Sequence, residues 1–146
     1  MSEPREWTFE IVGDMVGAVR TVRSDAWKPN PAIDRYHLWR DQIRLATPKS
    51  MTRFPDRIKM LIMVPMPENW SEKKKAFLCG RGHCQKPDID NIVKGVLDAM
   101  FESDQMISGV DAIAWWSRQV KRPTIRMIVV EHRKEMIDYL TTGKIP

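Results

Sequence analysis

Apolar positions along the chain follow two periods, and the switches between them outline the elements. Trp7, Phe9 and Ile11 alternate with Thr8 and Glu10, the two-residue repeat of a half-buried strand. Gly13-Asp14 signals a turn, and Val16 to Arg23 reads as a second extended run. Lys28-Pro29-Asn30-Pro31 is a rigid break. After it, Ile33, Tyr36, Ile43 and the aliphatic stem of Arg40 share one helical face, with Trp39 beside it, predicting a helix over about 32–46. From Arg57 to Pro65 the period returns to two, with Ile58, Met60, Ile62 and Val64 on one side. Leu61 and Met63 make the other side apolar too, which suits a strand in the middle of a covered sheet. Ser71 can cap a short helix through Phe77. Ile89, Ile92, Val93, Val96, Leu97 and Met100 then fit a helix that starts at Asp88 or Asp90 and ends near Phe101. Ile107 to Val120 and Thr124 to Glu131 read as strands on either side of the basic turn Lys121-Arg122-Pro123; the two runs can pair as a hairpin, but the order of strands in the sheet is not read from the sequence. Residues 133–142 suit a last helix, stopped by Gly143.

The predicted order is β-β-α-β-(α)-α-β-β-α. It describes one α/β (α+β) domain over residues 1–146, a mixed β-sheet with packed helices, and 1–6 and 143–146 as flexible tails. A chain of 146 residues is long enough for one real core. Its hydrophobic fraction of 42% and charged fraction of 29% are ordinary for a globular protein. No run approaches the roughly 20 apolar residues of a membrane span, and the first residues lack the apolar centre of a signal peptide. The expectation is a cytoplasmic protein with no membrane partner.

Charge changes this picture locally. The net charge is +5. Residues 51–86 carry eight Lys/Arg against three Asp/Glu, or +5, and residues 87–146 carry eight against nine, or −1. A basic middle is therefore joined directly to an acidic stretch, the pattern of a phosphate-tracking surface beside a metal-holding pocket. A solvated basic loop has the same composition.

The acidic stretch is Lys86-Pro87-Asp88-Ile89-Asp90-Asn91-Ile92-Val93-Lys94, followed ten residues later by Asp104. On the predicted helix Asp90, Lys94 and Asp98 stand four residues apart along one side. Asp88 sits at the helix mouth, and Asp104 must fold back to join them. Clustered carboxylates repel unless a cation lies among them. Oxygen donors select a hard ion, Mg²⁺ or Mn²⁺. Such an ion bridges to phosphate and activates water. The plainer alternative is a capping Asp followed by surface charges.

Asp-x-Asp-Asn-x-x-Lys, then Asp98-Ala99, then Asp104, resembles the signature of RusA-type Holliday-junction resolvases. Trp7 to Val16 with Arg20 and Arg23 is similar to the family's opening strand, turn and basic residues. The stretch Pro65 to Lys75 and the run His83 to Asn91 also resemble family segments, so the likeness covers roughly residues 7–131. It implies a RusA-like fold and a homodimeric endonuclease that cuts branched DNA, the four-way junction, with Mg²⁺ or Mn²⁺, in DNA recombination and repair. It also implies a bacterial, phage or prophage setting. The metal-binding acids fall on Asp88, Asp90 and Asp104 and the essential lysine on Lys94, with Asn91 orienting a ligand or contacting phosphate. Arg20, Arg23, Lys28, Lys73, Lys74, Lys75, His83 and Lys86 become candidate DNA contacts. Three departures stand out, one being a short connection from Asp98 to Asp104. Ser103 replaces the first acid of the usual pair before Asp104, and Met106-Ile107 stands where the family has Gln-Val. Asp111 is a substitute candidate for the third ligand. Two rival readings are a nuclease for other branched DNA and a junction binder that no longer cuts.

Other features carry less. Cys79, His83 and Cys84 form a loop with three soft ligands and no matching pair elsewhere, a poor zinc signature. Trp115 and Trp116 must face opposite sides of an extended strand, so one ring can enter the core.

Overall fold

The computed structural model describes residues 3–16 and 30–146. Four strands, β1 (Glu6–Val12), β2 (Pro55–Pro65), β3 (Gly109–Ser117) and β4 (Thr124–Glu131), form one mixed sheet in the order β1-β4-β2-β3. Four helices accompany them: α1 (Pro31–Ala46), α2 (Glu72–Leu78), α3 (Ile89–Met100) and α4 (Lys134–Thr142). The predicted single α/β domain is what the chain forms. The extended run expected over Val16 to Arg23 lies almost wholly outside the described residues. Among those residues, no helix is long and apolar enough to cross a membrane.

The sheet decides the strand order that the sequence left open. β3 and β4 do not form a hairpin. β4 pairs antiparallel with both β1 and β2, and β3 pairs parallel with β2. Burial explains the order. Ile58, Met60 and Ile62 of β2 and Ile125, Met127 and Val129 of β4 are all 0–2% exposed, so these two strands take the central places. β3 carries alanines at 112 and 114 and exposes Val110 and Ile113, which suits an edge. The connection from Ser117 to Thr124 is long enough to step over β2, unlike the tight turns that force a hairpin. The β2–β3 pair is parallel because α3 lies in its crossover.

One face of the sheet holds the core. Ile11, the β2 and β4 residues above and Ala114 meet Trp39 and Ile43 of α1 and Ile92, Val96, Leu97 and Ala99 of α3. Each fully buried Ile or Met contributes about 1.5–3 kcal/mol of transfer free energy. Asn30 starts α1 by accepting from the Ala32 amide, with Pro31 in the first turn. Trp39 is 1% exposed and is the largest fully buried side chain among the described residues, so it centres the helix face. Arg40, expected on that face, instead lays its guanidinium over Tyr36 at 5.8 Å. The charged head stays near water and the indole takes the interior. Arg44 Nε donates to the Ala99 carbonyl at 3.2 Å, fastening α1 to the end of α3.

The opposite face is less covered than the pattern of β2 implied. Leu61, Met63, Ile128 and Val130 are half-buried there, and Ile113 is 54% exposed. The ion pair between Arg126 and Glu10 also lies on this face.

Residues 1–6 are not a free tail throughout. The Arg5 carbonyl accepts from the Glu131 amide, and the Arg5 guanidinium gives Glu131 two hydrogen bonds of 3.0 and 2.8 Å. Thr52 Oγ1 donates to the same buried carboxylate. The Arg5 hydrogen bonds outweigh burial and hold Glu131 below the ordinary carboxylate value. A lowered folded-state value stabilises above the unfolded pKa of about 4.3 and is lost as pH falls through the folded value. Glu131→Gln should therefore cost about 1–2 kcal/mol at pH 7, modest because Arg5 is largely exposed. Thermal melts at pH 7 and pH 3 should show the gap from wild type shrinking in acid.

Candidate active site

α3 builds one wall of an open cleft of about 430 Å³. Its apolar row Ile89, Val93 and Leu97 and its polar row Asp90, Lys94 and Asp98 both line the space. Each row repeats every four residues, so the rows run side by side along the helix. Buried Ile92, Val96 and Ala99 turn the opposite side into the core and fix this orientation. Val110 and Ala112 of β3 form the floor, and Asp104 closes the cleft from the loop between α3 and β3. That loop turns tightly, with the Ile107 amide donating to the Asp104 carbonyl at 3.0 Å. Ser103 Oγ, at the departure from the family pattern, accepts from the Gln105 amide at 3.3 Å.

Asp90, Lys94, Asp98 and Asp104 are exposed, and among the described residues none of their side chains makes a hydrogen bond or ion pair. Three uncommitted carboxylates and one ammonium therefore share one concavity. Among the described residues no three His, Cys, Asp or Glu side chains stand close enough to cage an ion. Mg²⁺ does not require such a cage. It keeps several waters and is held by one or two carboxylates together with substrate phosphate oxygens. The donor set is all oxygen and open to solvent, which fits Mg²⁺ or Mn²⁺ and not a soft ion.

Asp88 stands at the mouth of α3, outside the lining of the cleft. It occupies the N-cap position, yet its carboxylate caps no backbone amide. Oδ1 accepts instead from Asn91 Nδ2 at 2.8 Å. Capping thus does not account for this Asp, and the Asn91 amide sets the direction of its carboxylate. The Lys86–Pro87 peptide just before it is cis.

The segment leading to Asp88 is tied to the edge of β3. Gly80 N donates to Trp116 O at 2.7 Å, Trp116 N to Arg81 O at 3.0 Å, and His83 N to Ala114 O at 3.0 Å. Trp116 is 4% exposed and packs edge-on against Trp70 and His83, with ring centroids 4.9 and 4.6 Å away. Trp115, on the other face, is half-buried. His83 is thus a packing partner of Trp116 and does not line the cleft. Burial holds its imidazole below its ordinary value.

The candidate DNA contacts divide. Arg20, Arg23 and Lys28 lie outside the described residues. Ser71 Oγ accepts from the Lys74 amide and caps α2, as its position implied. The three lysines that follow do not act as one row. Lys74 Nζ sits over the Trp70 ring at 4.0 Å, Lys75 turns inward toward Glu72 at 3.9 Å, and Lys73 is exposed. Lys86 is exposed beside the acidic motif. Cys79 and Cys84 are free thiols on the surface.

Asp111, the substitute third ligand, belongs elsewhere. It lines a separate cavity with Arg57 and Lys59 on the opposite face of β3, because neighbouring residues of a strand point to opposite sides. The third carboxylate of the cleft is Asp98, which was not among the expected ligands. Its signal was the spacing Asp90, Lys94, Asp98, already visible in the chain.

A search of curated proteins found no match to the chain. A family model, described as endodeoxyribonuclease RusA, matches residues 9–127 of the 146 and so takes in the second half of β1, the whole cleft and the first half of β4. By that match the chain belongs to the RusA endodeoxyribonuclease family.

Proposed function

We propose that the protein is a divalent-metal-dependent endonuclease that resolves four-way DNA junctions by paired symmetric nicks, acting as a homodimer in DNA recombination and repair. The observation that carries this reading is the convergence of Asp90, Asp98, Asp104 and Lys94 on one open cleft in a chain of this family. Asp90 and Asp104 hold the ion, Asp88 joins from the helix mouth under the direction of Asn91, and Asp98 completes the negative lining. A bound Mg²⁺ or Mn²⁺ supplies an activated water and stabilises charge on the departing oxygen. Lys94, one helical turn from Asp90, meets the negative charge that builds on the phosphate, or gives a proton to the leaving oxygen. Exposed Lys73 and Lys86 supply phosphate contacts, so affinity should fall steeply with salt. A two-fold junction needs two sites related by a two-fold axis, which supports the homodimer.

The test is cleavage of a labelled four-way junction in Mg²⁺, Mn²⁺ or EDTA, with a linear duplex of the same sequence as control. Metal-dependent, paired nicks in the junction alone are expected. Cutting of flaps and duplex as well would replace this reading with a broader nuclease. Tight junction binding without cutting in either metal would point to a silent site.

A further inference from the structure

We propose that Asp56 and His132 are positioning residues for this cleft, strapping the loop that carries Asp104 to the ends of β2 and β4. The inference rests on the nuclease reading for its consequence and on geometry for its existence.

The chain leaving α3 must bring Asp104 back over the cleft, and two anchors hold it there. At Ser108 the amide donates to the Asp56 carbonyl at 2.8 Å, and the hydroxyl donates to Asp56 Oδ1. At Met106 the carbonyl lies 2.7 Å from His132 Nε2. A carbonyl only accepts, so Nε2 carries the proton. The other ring nitrogen, Nδ1, faces Asp56 Oδ1 at 3.6 Å. One carboxylate therefore meets both the serine that ends the loop and the histidine that grips its middle.

The anchors are themselves fixed. His132 is 8% exposed, and its amide donates to the Phe54 carbonyl at 3.0 Å. Its neighbour Glu131 is locked by Arg5 and Thr52. Asp104 lies only two residues before Met106, and its carbonyl is bound by Ile107, so the pinned residues set its backbone directly. Serine, aspartate and histidine together suggest a nucleophilic triad, but the connectivity is wrong. Ser108 donates to Asp56 and makes no hydrogen bond to the ring, so the imidazole does not act on its hydroxyl. What remains is a polar clamp outside the cleft that controls where one carboxylate of the cleft stands. Outer partners of this kind typically change metal affinity by about 10–100-fold when removed.

The experiment compares wild type with His132→Leu, His132→Gln, Asp56→Asn and Ser108→Ala. Mn²⁺ binding to the DNA-free protein is read by electron paramagnetic resonance, beside the Mg²⁺ half-saturation of junction cleavage and junction affinity in EDTA. His132→Leu should weaken Mn²⁺ binding and raise the Mg²⁺ half-saturation about 10-fold or more. Junction affinity in EDTA should stay within about twofold, because phosphate contacts rather than the loop dominate it. Cleavage at saturating metal should recover. His132→Gln keeps an N–H for Met106 and should restore most of the metal response. An unchanged metal response in folded variants overturns the proposal, as does a parallel loss of metal response and EDTA junction affinity. If His132→Leu fails to fold, Asp56→Asn and Ser108→Ala decide, since both sites reach solvent. Wild type whose Mn²⁺ affinity depends on the clamp but which cuts no junction would uphold the clamp and sink the nuclease reading. Cutting that ignores the clamp would do the reverse.

Discussion

Asp90→Asn should abolish junction cutting, by more than roughly 10³, while junction binding in EDTA is kept or tightened. The size follows from the place of the residue. Perturbing a partner outside a metal's ligand shell costs about 10–100-fold, and Asp90 stands in the cleft itself. The amide keeps the shape and loses the charge that a hard ion needs. Binding should not suffer, because one less carboxylate repels the phosphate backbone less. The fold should survive too. Asp90 is exposed and unbonded, and its structural role is limited to the first turn of α3, where an acid favours the helix dipole by about 0.3–1 kcal/mol. A melting curve beside single-turnover cleavage separates the two effects. Loss of binding and cutting together, at an unchanged melting temperature, would remove Asp90 from the ligand set.

Lys94→Ala should slow cutting by about 10²–10³ at saturating protein and metal, the loss seen when one transition-state donor is removed. Ground-state affinity should move little, since one phosphate contact is a small part of the total. Alanine is the better helix former, so stability gives no trivial cause for the loss. Lys94→Arg is the informative companion. It keeps the charge but replaces a compact ammonium with a planar fork. Recovery with arginine would assign electrostatic stabilisation, whereas failure of arginine alongside alanine would favour proton donation. An unchanged rate in Lys94→Ala would exclude the residue from the chemistry.

The parts of the fold that were legible in the sequence are those decided locally. α3 announced itself by a 3.6 period over six apolar positions, and it runs Ile89–Met100 with Asp88 and Phe101 at its ends. α4 stops at Gly143, which adopts the left-handed conformation that the sequence suggested. The order of the strands was not legible, because whether β4 lies beside β3 or beside β2 depends on burial summed over residues seventy positions apart. On α1 a periodic fit favoured Arg40 over Trp39, and only the facing helix and sheet show which side is inside. The site divides in the same way. Asp90 and Lys94 could be placed together from spacing on one helix. The approach of Asp104 depends on Asp56 and His132, which lie far from it in sequence and resemble unremarkable surface residues there.

The pairing of β1 with β4 has a consequence for synthesis. β1 is made more than a hundred residues before its partner, since its register runs from Glu6 opposite Val130 to Val12 opposite Thr124. A growing polypeptide therefore holds Trp7, Phe9 and Ile11 without their ladder until β4 has left the ribosome. Domains usually complete as units in this way. The cleft carboxylates are translated before the sheet beneath them can close, so the arrival of β4, which joins β1 to β2, decides when the site becomes a site.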